Sequence, residues 1–256
     1  MAGTDASATM SVAEAIEAVT AMSGGAYWFL VAAGPHIGED WWTRDRATAD
    51  LDALFAAFPA GTGRSADAVR GSLLLEAWAW TILAPTTAAL LRTGIVFDLA
   101  ASGIQVQAPP GARPVFLGVD LTAPWVRTPQ RVDPADPASV DRLIGPMVAH
   151  LAPLVAAISA RTGRSRVALW RGVRDRLAGT LLWAGEATDQ RPLAEAMLGH
   201  AFGDDRIRGP QPRLIAAAEP GRPPRLARSG CCLWWRAGND PCDTCPLSER
   251  NRATRD

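Results

Sequence analysis

Lysine is absent: all 26 basic residues of the 256 are arginine, and 26 acidic residues balance them to a formal net charge of zero. The bias reflects coding composition more than function, while the neutral balance argues against a nucleic-acid module held by bulk positive charge. Cysteine is missing from the first 230 residues, so no disulfide framework staples the body, and 48% hydrophobic residues suffice for a core without one. The three histidines, His36, His150 and His200, fall in no metal-ligand spacing and are expected to be core or surface residues. Met1 to Met10 has neither a basic region nor an apolar run, which predicts a cytoplasmic protein with reduced thiols. One apolar run of twenty residues, Ser72 to Leu91, has the length of a membrane span, but Glu76 and Pro85 interrupt it and no second candidate accompanies it. It reads as core helix, and no membrane span is expected. There is no dinucleotide-binding glycine fingerprint for a flavin or nicotinamide, and no internal repeat.

What is present is mostly helical periodicity. Ser11 with Glu14 has capping-box spacing, and Val12, Ile16 and Val19 then line one face up to Gly24. Tyr27 to Ala32 is a buried run of undecided type. Trp41 and Trp42 read as packing anchors beneath a loop, followed by helical spacing to Phe58. From a cap at Ser65 a long helix is expected, with Pro85 starting a second one that stops at Gly94. The period then changes to two at Ile95 to Leu99, Gly103 to Gln107 and Pro114 to Val119, which predicts a small antiparallel meander. Asp120 to Asp136 looks like a linker. Helices resume from Ser139 to Gly163, from Ser165 through Leu182, and from Arg191-Pro192 to Phe202. The fold class expected is α+β: a mainly helical body, a small antiparallel β-meander at about 95–119, and a C-terminal metal-binding segment. The division expected is 1–124, 138–208 and 209–256, the last opening with a Pro-rich extended lead-in.

Cys231, Cys232, Cys242 and Cys245 are all the cysteines of the chain, spaced C-C-x9-C-x2-C, with Gly238 to Pro241 turning the chain between the pairs. Four soft thiolates in one segment suit zinc, a 2Fe-2S cluster or a 4Fe-4S cluster. The adjacent first pair cannot form the zinc knuckle of a C-x2-C, and the ferredoxin run for a 4Fe-4S cluster is missing. The binuclear 2Fe-2S cluster has the most support, with zinc disfavoured.

The segment from Arg228 through Cys231-Cys232-Leu233 to Cys242-Asp243-Thr244-Cys245-Pro246 resembles the C-terminal iron–sulfur motif of the FhuF-like ferric siderophore reductases, with one residue fewer between the pairs. Leu154 to Ile158, Arg161-Thr162-Gly163 and Ala168-Leu169-Trp170 are also similar to that family. The resemblance implies that all four cysteines ligate a 2Fe-2S cluster and that the protein reduces ferric iron held in a siderophore. Hard oxygen donors hold ferric iron far better than ferrous iron, so one electron loosens the complex without cutting the chelator. The electron would come from an external donor such as a ferredoxin. Ten arginines against five acids lie between Arg206 and Asp256, with Arg225, Arg228 and Arg236 nearest the cysteines; they would favour the reduced cluster and steer an anionic partner. Trp234 and Trp235 would shield the cluster from water or form part of a contact surface. Two other functions compete: an iron–sulfur electron carrier or redox sensor, and a zinc-stabilised binding module.

Overall fold

The computed structural model describes residues 10–22, 31–34, 36, 38–63, 66–207, 209–216 and 224–248. Helix α1 (Val12–Met22) opens as its sequence dictates: the Ser11 Oγ accepts from the Glu14 amide at 3.2 Å, while the Glu14 carboxylate accepts from the Ser11 amide at 2.6 Å. Its buried face is Val12, Ala15, Ile16 and Val19. Strands β1 (Val31–Ala33) and β2 (Trp41–Trp42) and the short helices α2 (Arg44–Ala49) and α3 (Leu51–Phe55) lead to α4 (Ala66–Thr93). The cap expected at Ser65 and most of the run Tyr27 to Ala32 lie outside the described residues.

Two helices were expected where α4 runs unbroken through Pro85. A proline inside a helix normally costs about 3 kcal/mol through its missing N–H and its clash with the preceding turn. Here every residue from Thr81 to Leu91 is buried, so the surrounding core fixes the helix axis from all sides. The Thr86 and Thr87 hydroxyls donate to the carbonyls of Ile82 and Leu83 at 2.6 and 2.8 Å, supplying hydrogen bonds in the turn that the proline weakens.

Strands β3 (Ile95–Val96), β4 (Ile104–Gln107) and β5 (Phe116–Val119) occupy the region read as a meander, but only β4 and β5 pair with each other. Gly94 ends α4 in a left-handed conformation, φ 69°, and a Cβ there would lie 2.5 Å from the Val132 carbonyl oxygen. The chain therefore turns aside, and β3 pairs antiparallel with β6 (Gln130–Arg131), which follows the short α5 (Pro124–Arg127). The main sheet has the order β1-β5-β4-β2, antiparallel except for the β1–β5 pair. Thus the twin tryptophans form an edge strand rather than a loop. Trp42 is buried and donates its indole N–H to the Ala108 carbonyl at 3.2 Å; Trp41 stacks on His36 with ring centroids 3.9 Å apart. Both rings press on the bare backbone of Gly118, where a Cβ would come within 2.4–2.6 Å of them.

Helices α6 (Ser139–Thr162), α7 (Arg166–Ala187) and α8 (Arg191–Phe202) complete the body, before the hairpin of β7 (Arg213–Ile215) and β8 (Arg225–Ala227). Gly163, φ 69°, closes α6, and the Ser165 hydroxyl caps α7 by accepting from the Ala168 amide at 3.3 Å. Besides α4, α6 is long and apolar enough to span a membrane by length and composition, a second candidate that the sequence reading did not find. The most apolar window of α4 is 83% buried within the protein and that of α6 is 44% buried. One core runs from Val12 to Ile207, with α4 and α7 packed along each other at its centre. His150, buried in it, accepts from the Trp78 indole at Nε2 (3.1 Å) and donates from Nδ1 to the Leu99 carbonyl (2.7 Å). Burial pushes its pKa down to about 4, so it is a neutral core residue. The small antiparallel sheets set against this helical frame make the protein a mainly helical α+β fold.

Candidate metal centre and its cleft

The cysteine segment is docked onto α4 and α7 by two acids that face each other across the helix pair. Asp175 of α7, its side chain 1% exposed, accepts from the Ser229 amide (2.8 Å), the Ser229 hydroxyl (2.7 Å) and the Gly230 amide (2.8 Å). These are the two residues directly before Cys231. Glu76 of α4, the charge that interrupts the apolar run, is 5% exposed and pairs with Arg228 and with Arg176, the latter at 2.8 Å. Arg228 also reaches Asp175 at 3.5 Å. Burial alone would raise Glu76, but Arg228 and Arg176 outweigh it and hold the carboxyl below its ordinary value. At Asp175 burial prevails and raises the pKa, against the pull of Arg228 and the Ser229 and Gly230 amides. Arg228 is raised: burial opposes its charge, and the two acids more than compensate. The Arg164 guanidinium, just before α7, donates to the Cys231 carbonyl at 2.8 Å.

Beyond this anchor the chain folds tightly. Leu233 adopts a left-handed backbone, φ 67°, and its amide donates to Cys231 Sγ at 3.3 Å; a 3-10 turn over Trp234–Ala237 and Gly238, φ 84°, then reverses the direction. The Arg228 amide donates to the Thr244 carbonyl at 3.0 Å, and the Cys245 amide to the Cys242 carbonyl at 2.8 Å, which brings the second cysteine pair back over the first. The thiols meet in two pairs, Cys232 with Cys242 and Cys231 with Cys245. Cys232 is pushed up by donating to Cys242 and by burial. Cys242, the acceptor, is pushed down to about 6, with help from the Thr244 hydroxyl and Arg228. Burial raises Cys245. Among the described residues no three or more His, Cys, Asp or Glu side chains form a group suited to one metal ion. The donors are two pairs of soft sulfur atoms beside a buried guanidinium.

Cys232 and Cys242 are part of the lining of a cleft of about 730 Å³ between α4, α7 and the hairpin. Trp80 and Trp183 form a wall, edge to face with centroids 4.5 Å apart, and Trp234 forms another part of the lining. Arg113 lies over the Trp234 ring at 5.4 Å, and Arg176 over Trp80 at 5.7 Å. Of the residues singled out from sequence, Arg225, Arg228 and Trp234 line this cleft. Arg225 also donates to the Asp243 carbonyl at 3.3 Å. Arg236 instead lies over the exposed ring of Trp235 and is not part of the lining. Trp170 packs against the core, and Asp204 forms an ion pair with Arg206 at a helix end. Arg250, Arg252 and Arg255 lie outside the described residues. Sequence reasoning missed Asp175, Arg164, Arg176, Arg113, Trp80 and Trp183 as site residues. Only Glu76 carried a signal, a charge in an otherwise apolar run.

Fold and site together define a mainly helical protein with a four-thiol segment docked beside an arginine- and tryptophan-lined cleft that two of its cysteines enter. The profile of the FhuF family, ferric iron reductase FhuF-like transporter, matches residues 72–201, and the chain belongs to this family. The match runs from α4 to the end of α8 and includes Glu76, Asp175, Trp80 and Trp183; the cysteines lie beyond it. No curated protein matches the chain. Family membership gives the protein a role related to ferric iron reduction.

Proposed function

We propose that this protein is a cytoplasmic ferric siderophore reductase in which Cys231, Cys232, Cys242 and Cys245 hold a 2Fe-2S cluster. The observation that supports the reading is the pairing of Cys232 with Cys242 in the lining of the cleft, and of Cys231 with Cys245 in the same segment, in a member of a ferric-reductase family. Two thiolates to each of two irons is the ligand set of a binuclear cluster, and such a cluster supplies one electron at a time. The chain's own residues do the rest. Asp175, Glu76 and Arg164 fix the segment, and Arg228 places a positive charge beside sulfur without exposing it to water. The cleft holds a ferric chelate within reach of Cys232 and Cys242. The substrate gains one electron, its ferric iron becomes ferrous, and the chelator's oxygens release the softer ion and take up protons. A one-electron donor such as a ferredoxin restores the reduced protein.

The test is stoichiometric. Reduced protein, mixed without oxygen with a ferric hydroxamate or mixed-ligand chelate and a ferrous-specific trap, should yield about one trapped ferrous ion per cluster as the oxidised spectrum returns. If the reduced spectrum persists with every chelate, including those easiest to reduce, the protein is instead an electron carrier or redox sensor.

A further inference from the structure

Arg164 brings to the cysteines a positive charge that no carboxylate partner balances. Its neighbours in sequence fix its place: Gly163 closes α6, the Arg164 amide donates to the Thr162 hydroxyl at 3.2 Å, and Ser165 caps α7. From this held backbone the half-buried side chain reaches across to the Cys231 carbonyl. Its Nε is buried with no hydrogen-bond partner, and it forms no ion pair with a carboxylate among the described residues. Burial lowers its pKa; Cys231 acts most strongly in favour of its charge, then Glu76 and Cys232, while Arg236 opposes it. Glu76 is already committed to Arg228 and Arg176, and Asp175 to Arg228, so two carboxylates meet two guanidiniums within the anchor. The thiols are left as the counter-charge for Arg164.

A half-buried guanidinium with an idle N–H and no carboxylate is costly, and it gains a counter-charge when the sulfurs beside it are thiolates. From this geometry, and resting on the cluster reading above, we infer that Arg164 sets the cluster's reduction potential, its unbalanced charge favouring the reduced state. The step it biases is the uptake of one electron from the external donor: one negative charge is added, and no bond forms or breaks. Arg228 differs, because its charge is shared between two carboxylates and its loss would disturb the anchor itself. Arg164 makes no hydrogen bond to Glu76 or Asp175, so its charge can be removed while those anchors stay.

The experiment is a spectroelectrochemical titration of the full chain with its cluster, needing no chelate. Arg164→Gln removes the charge but keeps an N–H for the Cys231 carbonyl; at a fixed poise its ratio of reduced to oxidised protein should fall about tenfold, a midpoint about 59 mV lower. Arg164→Lys keeps the charge and should stay within about threefold of wild type. Arg166→Gln, an exposed arginine two positions on, should shift the ratio less than about twofold. An unmoved potential in Arg164→Gln, a fall in Arg164→Lys as large as that in Arg164→Gln, or an equal effect of Arg166→Gln would overturn the inference. If Arg164→Gln assembles no cluster, Arg164→Lys decides: wild-type iron content and potential support the role of the charge, and loss of either shows that Arg164 is an anchor only. The reading beneath it fails in different ways. A colourless wild type would remove the cluster and this inference together, and a coloured wild type that reduces no ferric chelate would remove the reductase while the effect of Arg164 on the potential remained.

Discussion

Replacing Asp175 by asparagine should release the cysteine segment while leaving the helical body folded. The carboxylate accepts from the Ser229 amide and hydroxyl on one oxygen and from the Gly230 amide on the other, with Arg228 at 3.5 Å. Asparagine turns one of those oxygens into an NH2 group, so in either orientation a donor faces a buried donor, and Arg228 loses a charged partner. Breaking a buried hydrogen-bonded charge pair by changing one member costs about 3–5 kcal/mol. The loss falls on the docking of residues 228–245, because Asp175 lies beneath that segment and the α4–α7 core packs through other side chains. Native-state hydrogen exchange measures it directly. Protection of the Ser229 and Gly230 amides should drop at least about a hundredfold, since each 1.36 kcal/mol is a factor of ten, while core amides of α4 change little. Unaltered protection at Ser229 and Gly230 would refute the anchoring role, and uniform loss across α4 would show that Asp175 supports the whole fold instead.

Glu76→Gln should leave Arg228 and Arg176 short of one charge in a buried setting and cost about 3 kcal/mol or more in denaturant unfolding; a shift within about 0.5 kcal/mol would show that the network is not needed for stability. His150 should make stability fall in acid: its folded pKa, about 4, lies below its unfolded value of 6.5, so the folded state binds fewer protons between them. Its contribution is present above pH 6.5 and is lost as pH falls towards 4. The total is about 3 kcal/mol, read as the difference in pH slope between wild type and a His150→Phe variant. Gly118→Ala should destabilise by about 1–3 kcal/mol and loosen the His36–Trp41 stack, seen in indole fluorescence, because the added Cβ meets both rings.

The helices were legible because their signals are local. Ser11 with Glu14, Gly163, Ser165 and Pro192 mark helix ends by chemistry that depends on neighbours in sequence, and the structure places ends at each. Pro85 misled for a physical reason: a proline's local cost was overridden by burial on every side of α4. The meander misled because alternation shows that a run is half-buried, not which strand it meets; the turn at Gly94 sends β3 to β6. The four cysteines were legible as a donor set by their confinement to one segment. Their anchors were not. Asp175 sits in the arginine-rich run Arg171 to Arg176 like an ordinary surface charge, and only the packing of α7 on α4 turns it inward beneath Ser229 and Gly230. Likewise Arg113 and Trp183, seventy positions apart in sequence, become parts of one cleft only through the fold.

The central claim is that these four thiols hold two irons. Protein purified without oxygen should be coloured and contain about two irons and two inorganic sulfides per chain, and Cys231→Ser, Cys232→Ser, Cys242→Ser and Cys245→Ser should each lower that content and change the visible spectrum. A colourless protein with about one zinc per chain, or a Cys231→Ser variant with wild-type iron, sulfide and spectrum, would contradict it.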